Sequence, residues 1–358
     1  MRHSVVVAAA LAACLLAVAP ARAQNPSPTN ISGSIIGTSA DPMDGRLGLA
    51  ANQPGCGSAP CGWINADTFS QPIFEYGTGM SGNVDPVYLT LHYSSLPKVW
   101  IPDNTLDGEW RQNEVDSGLN PDWAAVFIND TGDGPDYCEL WGVHPNETTG
   151  AVEAWHGGCM DDYGRGSPLQ AFPGTDGVQA SNLPTVGTMI TVAEWQAWQA
   201  SGEVPQHPAG FLAPYSCSTW RAPANRTDNA SLSRDWETHG DCIELGTKYF
   251  LPEDWEPPTD CSVHPPTYAE FGCIQSSFVR LLIAMAKDPD AGLIAVDQSG
   301  GDLVTFRIEN PARTWGPWAP HWYSVDPYDF HTYGAEDWNT LLLREFPFDE
   351  TTVVPPGA

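Results

Sequence analysis

The chain has 358 residues, with 44 acidic against 15 basic side chains and a formal net charge of −29. Such a surface repels nucleic acid and anionic membranes, so neither is an expected partner, and it disfavours a polyanionic substrate unless a basic cleft is built locally. Solubility or adaptation to salt explains the same charge. Together, 34 glycines, 33 prolines and 15 tryptophans point to a β-rich, loop-heavy fold.

Met1-Arg2-His3 precede an apolar run from Val5 to Pro20, and Ala21-Arg22-Ala23 follows it. A basic start, a short apolar core and an A-x-A site read as a secretory signal peptide over residues 1–23. Removing it takes two arginines and leaves thirteen bases against 44 acids, a charge of −31. No later apolar run reaches the roughly 20 residues that span a bilayer. The expectation is a secreted monomer, extracellular or periplasmic. Residues 24–45 read as a loose entry segment, 46–345 as a single β-rich domain and 346–358 as a tail.

Of the nine cysteines, Cys14 leaves with the signal. An even set in an exported chain reads as disulfides. Sequential pairing closes short loops: Cys56–Cys61, Cys138–Cys159, Cys217–Cys242 and Cys261–Cys273. Zinc is the rival, and no C-x-x-C supports it.

Ile73–Tyr76, Val87–Tyr93 and Lys98–Pro102 read as strands. Then come three apolar runs, Trp123–Ile128, Tyr137–Gly142 and Ala151–His156, separated by turn-rich segments 129–136 and 144–150. That pattern predicts an antiparallel meander. Glu139-Leu-Trp141 and Glu153-Ala-Trp155 each put a carboxylate and an indole on one face of a strand. A hairpin centred near Glu147 sets Glu139 opposite Trp155 and Trp141 opposite Glu153. The two carboxylates are then diagonal neighbours, about 7–8 Å apart at Cβ.

Thr191-Val-Ala-Glu194 is a capping box and predicts a helix to about Ala200, with Trp195 and Trp198 turned to the core. A strand over Val204–Pro214 carries His207. Trp220–Asp228 reads as extended chain and then loop, and Cys242–Phe250 as a strand. Apolar residues Ile274, Phe278, Leu281, Leu282 and Met285 recur at helical spacing within Phe271–Asp288, which Pro289 closes. Gly292–Val296 and Asp302–Glu309 read as a hairpin. The aromatic stretch Arg313–Trp338 suits either a glycan groove or loop packing. The resulting fold class is mostly β: two packed antiparallel sheets, a sandwich or jelly roll, with two short helices.

A carboxylate pair framed by indoles suits glycoside hydrolysis. Glu139 and Glu153 are the candidate acid and base, with Asp122 as a third carboxylate. Trp141, Trp155, Tyr137 and Asp228 are candidate substrate contacts on a neutral polysaccharide. The alternative for E-x-W is an ordinary solvent-facing alternation. A polysaccharide lyase would instead use His207 as base and Arg226, with Asp228, against a substrate carboxylate; a buried strand histidine and a local ion pair are the plain alternatives. A third reading is a non-catalytic carbohydrate-binding or surface-interaction protein. Asn129, Asp130 and Asp133 resemble the start of a calcium loop, but Leu140 stands where its twelfth-position acid belongs. An Asp/Gly turn explains the stretch as well, so calcium is the only cofactor in view.

The order of these pieces resembles a group of exported bacterial proteins. The shared pieces are Asp122, Glu139-Leu-Trp141, Leu183-Pro184, Thr191–Ala200, His207, Trp220–Asp228 and Phe271–Glu309. They cover about half the chain, each motif being short. Pro208 after His207 and the extra cysteines depart from the pattern. The resemblance implies a β-sandwich architecture and no particular activity; likeness to jelly-roll glycan-cleaving enzymes is analogy of fold alone.

Overall fold

A computed structural model describes residues 41, 43–44, 46–51, 62–65, 73–76, 86–87, 90–91, 99–100, 124–129, 136–142, 144–145, 152–160, 169–172, 177–227, 242–257, 276–298, 304–309, 340–342 and 346–355. Strands dominate. The largest sheet has six, in the order β14 (Lys248–Tyr249), β15 (Leu293–Gln298), β11 (Ala209–Ala213), β16 (Val304–Arg307), β1 (Gly62–Asn65) and β17 (Thr340–Leu342). A second has four, in the order β10 (His156–Met160), β7 (Tyr137–Trp141), β6 (Ala125–Asn129) and β2 (Ile73–Tyr76). Smaller sheets pair β12 (Ser216–Trp220) with β13 (Ile243–Leu245), and β3 (Pro86–Val87) with β5 (Val99–Trp100). A last sheet sets β9 (Val152–Ala154) between β4 (Thr90–Leu91) and β8 (His144–Pro145).

The sheets are mixed, not purely antiparallel. β1 with β16, β11 with β15, β2 with β6, β12 with β13 and β4 with β9 run parallel. The expected hairpin of residues 292–309 is also corrected. β15 and β16 form, but β11 lies between them, parallel to one and antiparallel to the other. Every residue of β11, Ala-Gly-Phe-Leu-Ala, is buried. A strand apolar on both faces gains most from a central place in a covered sheet.

Helix Val192–Ser201 starts at the predicted capping box. Thr191 accepts from the Glu194 amide, and the Glu194 carboxylate accepts from the Thr191 amide at 2.9 Å. Helix Ser277–Lys287 begins six residues later than the apolar spacing suggested, at a Ser276 cap. Trp195 and Phe278 pack ring to ring at 5.5 Å, joining the two helices in the large core. Residues 346–355, set apart above as a tail, belong to that core: Phe346, Phe348 and Val353 are buried in it, and Thr352 bridges to Phe250. The entry segment is also pinned at its end, because Arg221 donates to both carboxylate oxygens of Asp41 at 2.6 Å. Among the described residues no helix is long and apolar enough to cross a membrane.

Two disulfides form as paired in the sequence, Cys138–Cys159 and Cys217–Cys242. Cys56, Cys61, Cys261 and Cys273 lie outside the described residues. The first bridge ties edge strand β10 to β7 and closes a separation of 21 residues. Replacing Cys138 and Cys159 by alanine is expected to cost about 3 kcal/mol through the unfolded chain. Thermal unfolding of the double variant measures it; an unchanged midpoint would mean that the ladder holds β10 unaided.

Candidate functional site

The meander forms in a register three residues from the one expected. Cys138 faces Cys159 directly, Glu139 faces Gly158, and Trp141 faces His156. Gly157 and Gly158 are strand residues, paired with Leu140 and Glu139. At Gly157 a Cβ would sit 2.9 Å from the Glu139 carbonyl oxygen and against the Leu140 side chain, so only glycine lets the strands meet there. Glu153 is therefore not across from Trp141. It lies in β9, in another sheet, beside His144 and Thr90. The expected Glu139–Glu153 diagonal pair does not form.

An odd shift of register also changes which residues share a face. Tyr137 and Glu139 share theirs with Ile73, Val126, Ile128 and Met160, and that face is roofed by Phe172, Val186 and Met189. Glu139 is 0 % exposed. Its Oε1 accepts from the Tyr137 hydroxyl and the Thr185 amide, and its Oε2 accepts from the Val178 amide at 3.1 Å. Burial pushes its pKa up, and those hydrogen bonds pull back against it, leaving it raised. Glu139 thus holds the 177–186 loop onto the sheet. Tyr137, a candidate substrate contact, is sealed in the same network, stacked on Phe172 at 6.0 Å.

The same loop is gripped from its other side. Asn182, with φ 63°, accepts from the Gly177 amide at 2.6 Å and donates to the Phe172 carbonyl at 3.0 Å. Arg226 donates to the carbonyls of Ala180, Gly177 and Gln179. An Asn that tolerates left-handed backbone was the one signal of this knot in the sequence.

His207 is 1 % exposed, just ahead of β11. Its Nδ1 meets the Pro208 carbonyl at 3.0 Å and its Nε2 meets Glu194 Oε1 at 2.9 Å. Carbonyl and carboxylate oxygens only accept, so these two contacts are both met by a ring protonated at both nitrogens. Burial pulls its pKa down, but the Glu194 charge and the two hydrogen bonds prevail and leave it raised. The two members of the lyase set thus meet different partners, a helix cap and a loop. Asp122, Asp130, Asp133 and Asp228 lie outside the described residues; Asn129 ends β6. Among the described residues no cluster of three His, Cys, Asp or Glu side chains is placed to hold a metal.

What the β7–β10 end brings to the surface is aromatic. Trp141 ends β7, His156 opens β10, and Trp155 is the bend residue between β9 and β10. Trp155 is 46 % exposed, and its indole meets that of Trp141 at 5.1 Å with planes at 63°. His156, also exposed, lies 5.7 Å from Trp141. The Trp155 amide donates to the Trp141 carbonyl at 2.9 Å. His156 is a site residue the sequence analysis missed; its signal was its place between Trp155 and the glycine pair. No family model, curated protein or solved structure matches the chain.

Proposed function

We propose that this is an exported glycan-binding protein whose contact surface is built on Trp155, Trp141 and His156. The observation that carries the reading is the exposed indole of Trp155, held in a defined pose by a second indole. Flat aromatic faces cover the apolar faces of sugars, and a fixed ring loses little entropy on binding. The signal-like N-terminus and the two disulfides fit export. Glu139 and His207 belonged to the two enzymatic readings. Each is buried and hydrogen-bonded to the fold, which weighs for binding over turnover.

A panel of neutral polysaccharides tests this. The expected result is retention of the protein without release of soluble sugar, assayed both as reducing ends and as ultraviolet-absorbing unsaturated product. Trp155→Ala should weaken retention roughly 30-fold, about 2 kcal/mol, with the fold intact. Equal retention by that variant would remove the site. Sugar release that Glu139→Gln abolishes would restore the hydrolase reading.

A further inference from the structure

We propose that Trp220 is a sugar contact in its own right, on a different sheet from Trp155 and independent of it: the apolar face of one neutral pyranose ring lies on its indole. Trp220 closes β12 and is 48 % exposed. Its strand is buried at Ser216 and Cys217 and emerges from the core at Ser218, Thr219 and Trp220. The backbone that carries the indole is fixed from several sides. Trp220 pairs with Leu245 of β13, and the Arg221 amide donates to the Leu245 carbonyl at 2.8 Å. The Cys217–Cys242 bridge ties β12 to the chain entering β13. Gly246, with φ 88°, approaches so closely that a Cβ there would collide with the Arg221 carbonyl oxygen. A ring presented on so constrained a backbone loses little entropy when a ligand covers it.

The residues around the ring select the ligand. Thr219 and Arg221 flank it in the chain, and both end on Glu244. Thr219 Oγ1 donates to Oε1 at 2.6 Å, and Arg221 Nε donates to Oε2. Arg221 gives its other two nitrogens to Asp41 at 2.6 Å. The guanidinium beside Trp220 is thus committed to two carboxylates and does not recruit a sulfate or a uronate, which the net charge of −29 also opposes. A stable protein partner buries roughly 1,600 Å² around an apolar centre. Here the exposed neighbours are Ser218, Thr219 and Ala222, small side chains that build no such centre. A pyranose asks for less: one flat aromatic face under its C–H groups, with its hydroxyls left in water.

The test uses the full-length secreted chain with maltohexaose, cellohexaose and mannohexaose as probes. Hydroxyl-radical footprinting read by mass spectrometry reports Trp220 and Trp155 separately. One hexaose should protect Trp220 saturably, and Trp155→Ala should leave that protection in place. Trp220→Ala should weaken binding at this site about 30-fold, and Trp220→Phe should restore it to within about fivefold, with unfolding midpoints unchanged because the side chain lies outside the core. Protection confined to Trp155, or binding that Trp220→Ala leaves intact, would overturn the inference and leave the Trp155 reading standing. Protection at Trp220 alone would support the inference while removing Trp155 as a contact. Protection of Trp220 by tetramethylammonium, or by raised protein concentration, without protection by any hexaose would overturn it in favour of a cation or a second copy of the chain. Equal protection by oligouronates would overturn its neutral clause.

Discussion

Glu139→Ala is expected to cost about 3–5 kcal/mol of stability, because it strands three donors at once, two of them buried. The Tyr137 hydroxyl and the Thr185 and Val178 amides all end on that carboxylate. Water cannot readily replace it beneath Phe172, Val186 and Met189. The unfolding midpoint should fall by roughly 5–10 °C, and amides of the 177–186 loop should lose exchange protection first. Glu139→Gln adds a pH dependence. The folded carboxyl is raised above its ordinary value by burial. Its favourable contribution is therefore complete below the unfolded pKa and is lost as pH rises through the folded one. The amide does not titrate, so the penalty of Glu139→Gln should be largest in acid and shrink as pH rises. A penalty that grows with pH would mean that the site prefers the charged form.

His207→Leu is expected to cost about 3–5 kcal/mol at pH 6, since it leaves the largely buried Glu194 carboxylate without its cation. The histidine pKa is raised in the folded state, against an ordinary value of 6.5, by the Glu194 charge and two hydrogen bonds that outweigh burial. The imidazolium therefore contributes fully below about pH 6.5, and that contribution fades as pH rises through the folded value. Denaturant midpoints of the wild type and of His207→Leu should converge on going from pH 6 towards pH 9. Curves that stay parallel would show that the ring packs as a neutral group. The loss should be felt at the start of helix Val192–Ser201, because Glu194 also closes the Thr191 cap.

Features that depend on near neighbours in the chain were legible from the residues alone. Thr191 and Glu194 cap a helix because their partners are three residues apart. The apolar spacing of Phe278, Leu281, Leu282 and Met285 made an amphipathic helix because those side chains recur once per turn. Cys138 and Cys159, and Cys217 and Cys242, pair as their short separations suggested. Strand β7 was placed to within a residue.

Tertiary structure decided which strands meet and which faces are covered. Alternation names the residues that share a face, but β7 is buried on both faces from Tyr137 to Leu140, so its pattern does not mark a solvent side. Its register was fixed by the close approach at Gly157 and by the disulfide, two contacts with β10 that the turn residues do not encode. Glu139 became a loop clamp only because Thr185 and Val178, some forty residues away in the chain, fold onto it. β11 separated β15 from β16 because a strand apolar on both sides is most stable at the centre of a sheet. Local sequence determined the helices, their caps and the two bridges, since each is set by neighbours within a few turns or a short loop. The mixed sheets, the sealed carboxylate and the exposed Trp155 corner arose from burial and pairing between distant segments, and only the folded chain brings those together.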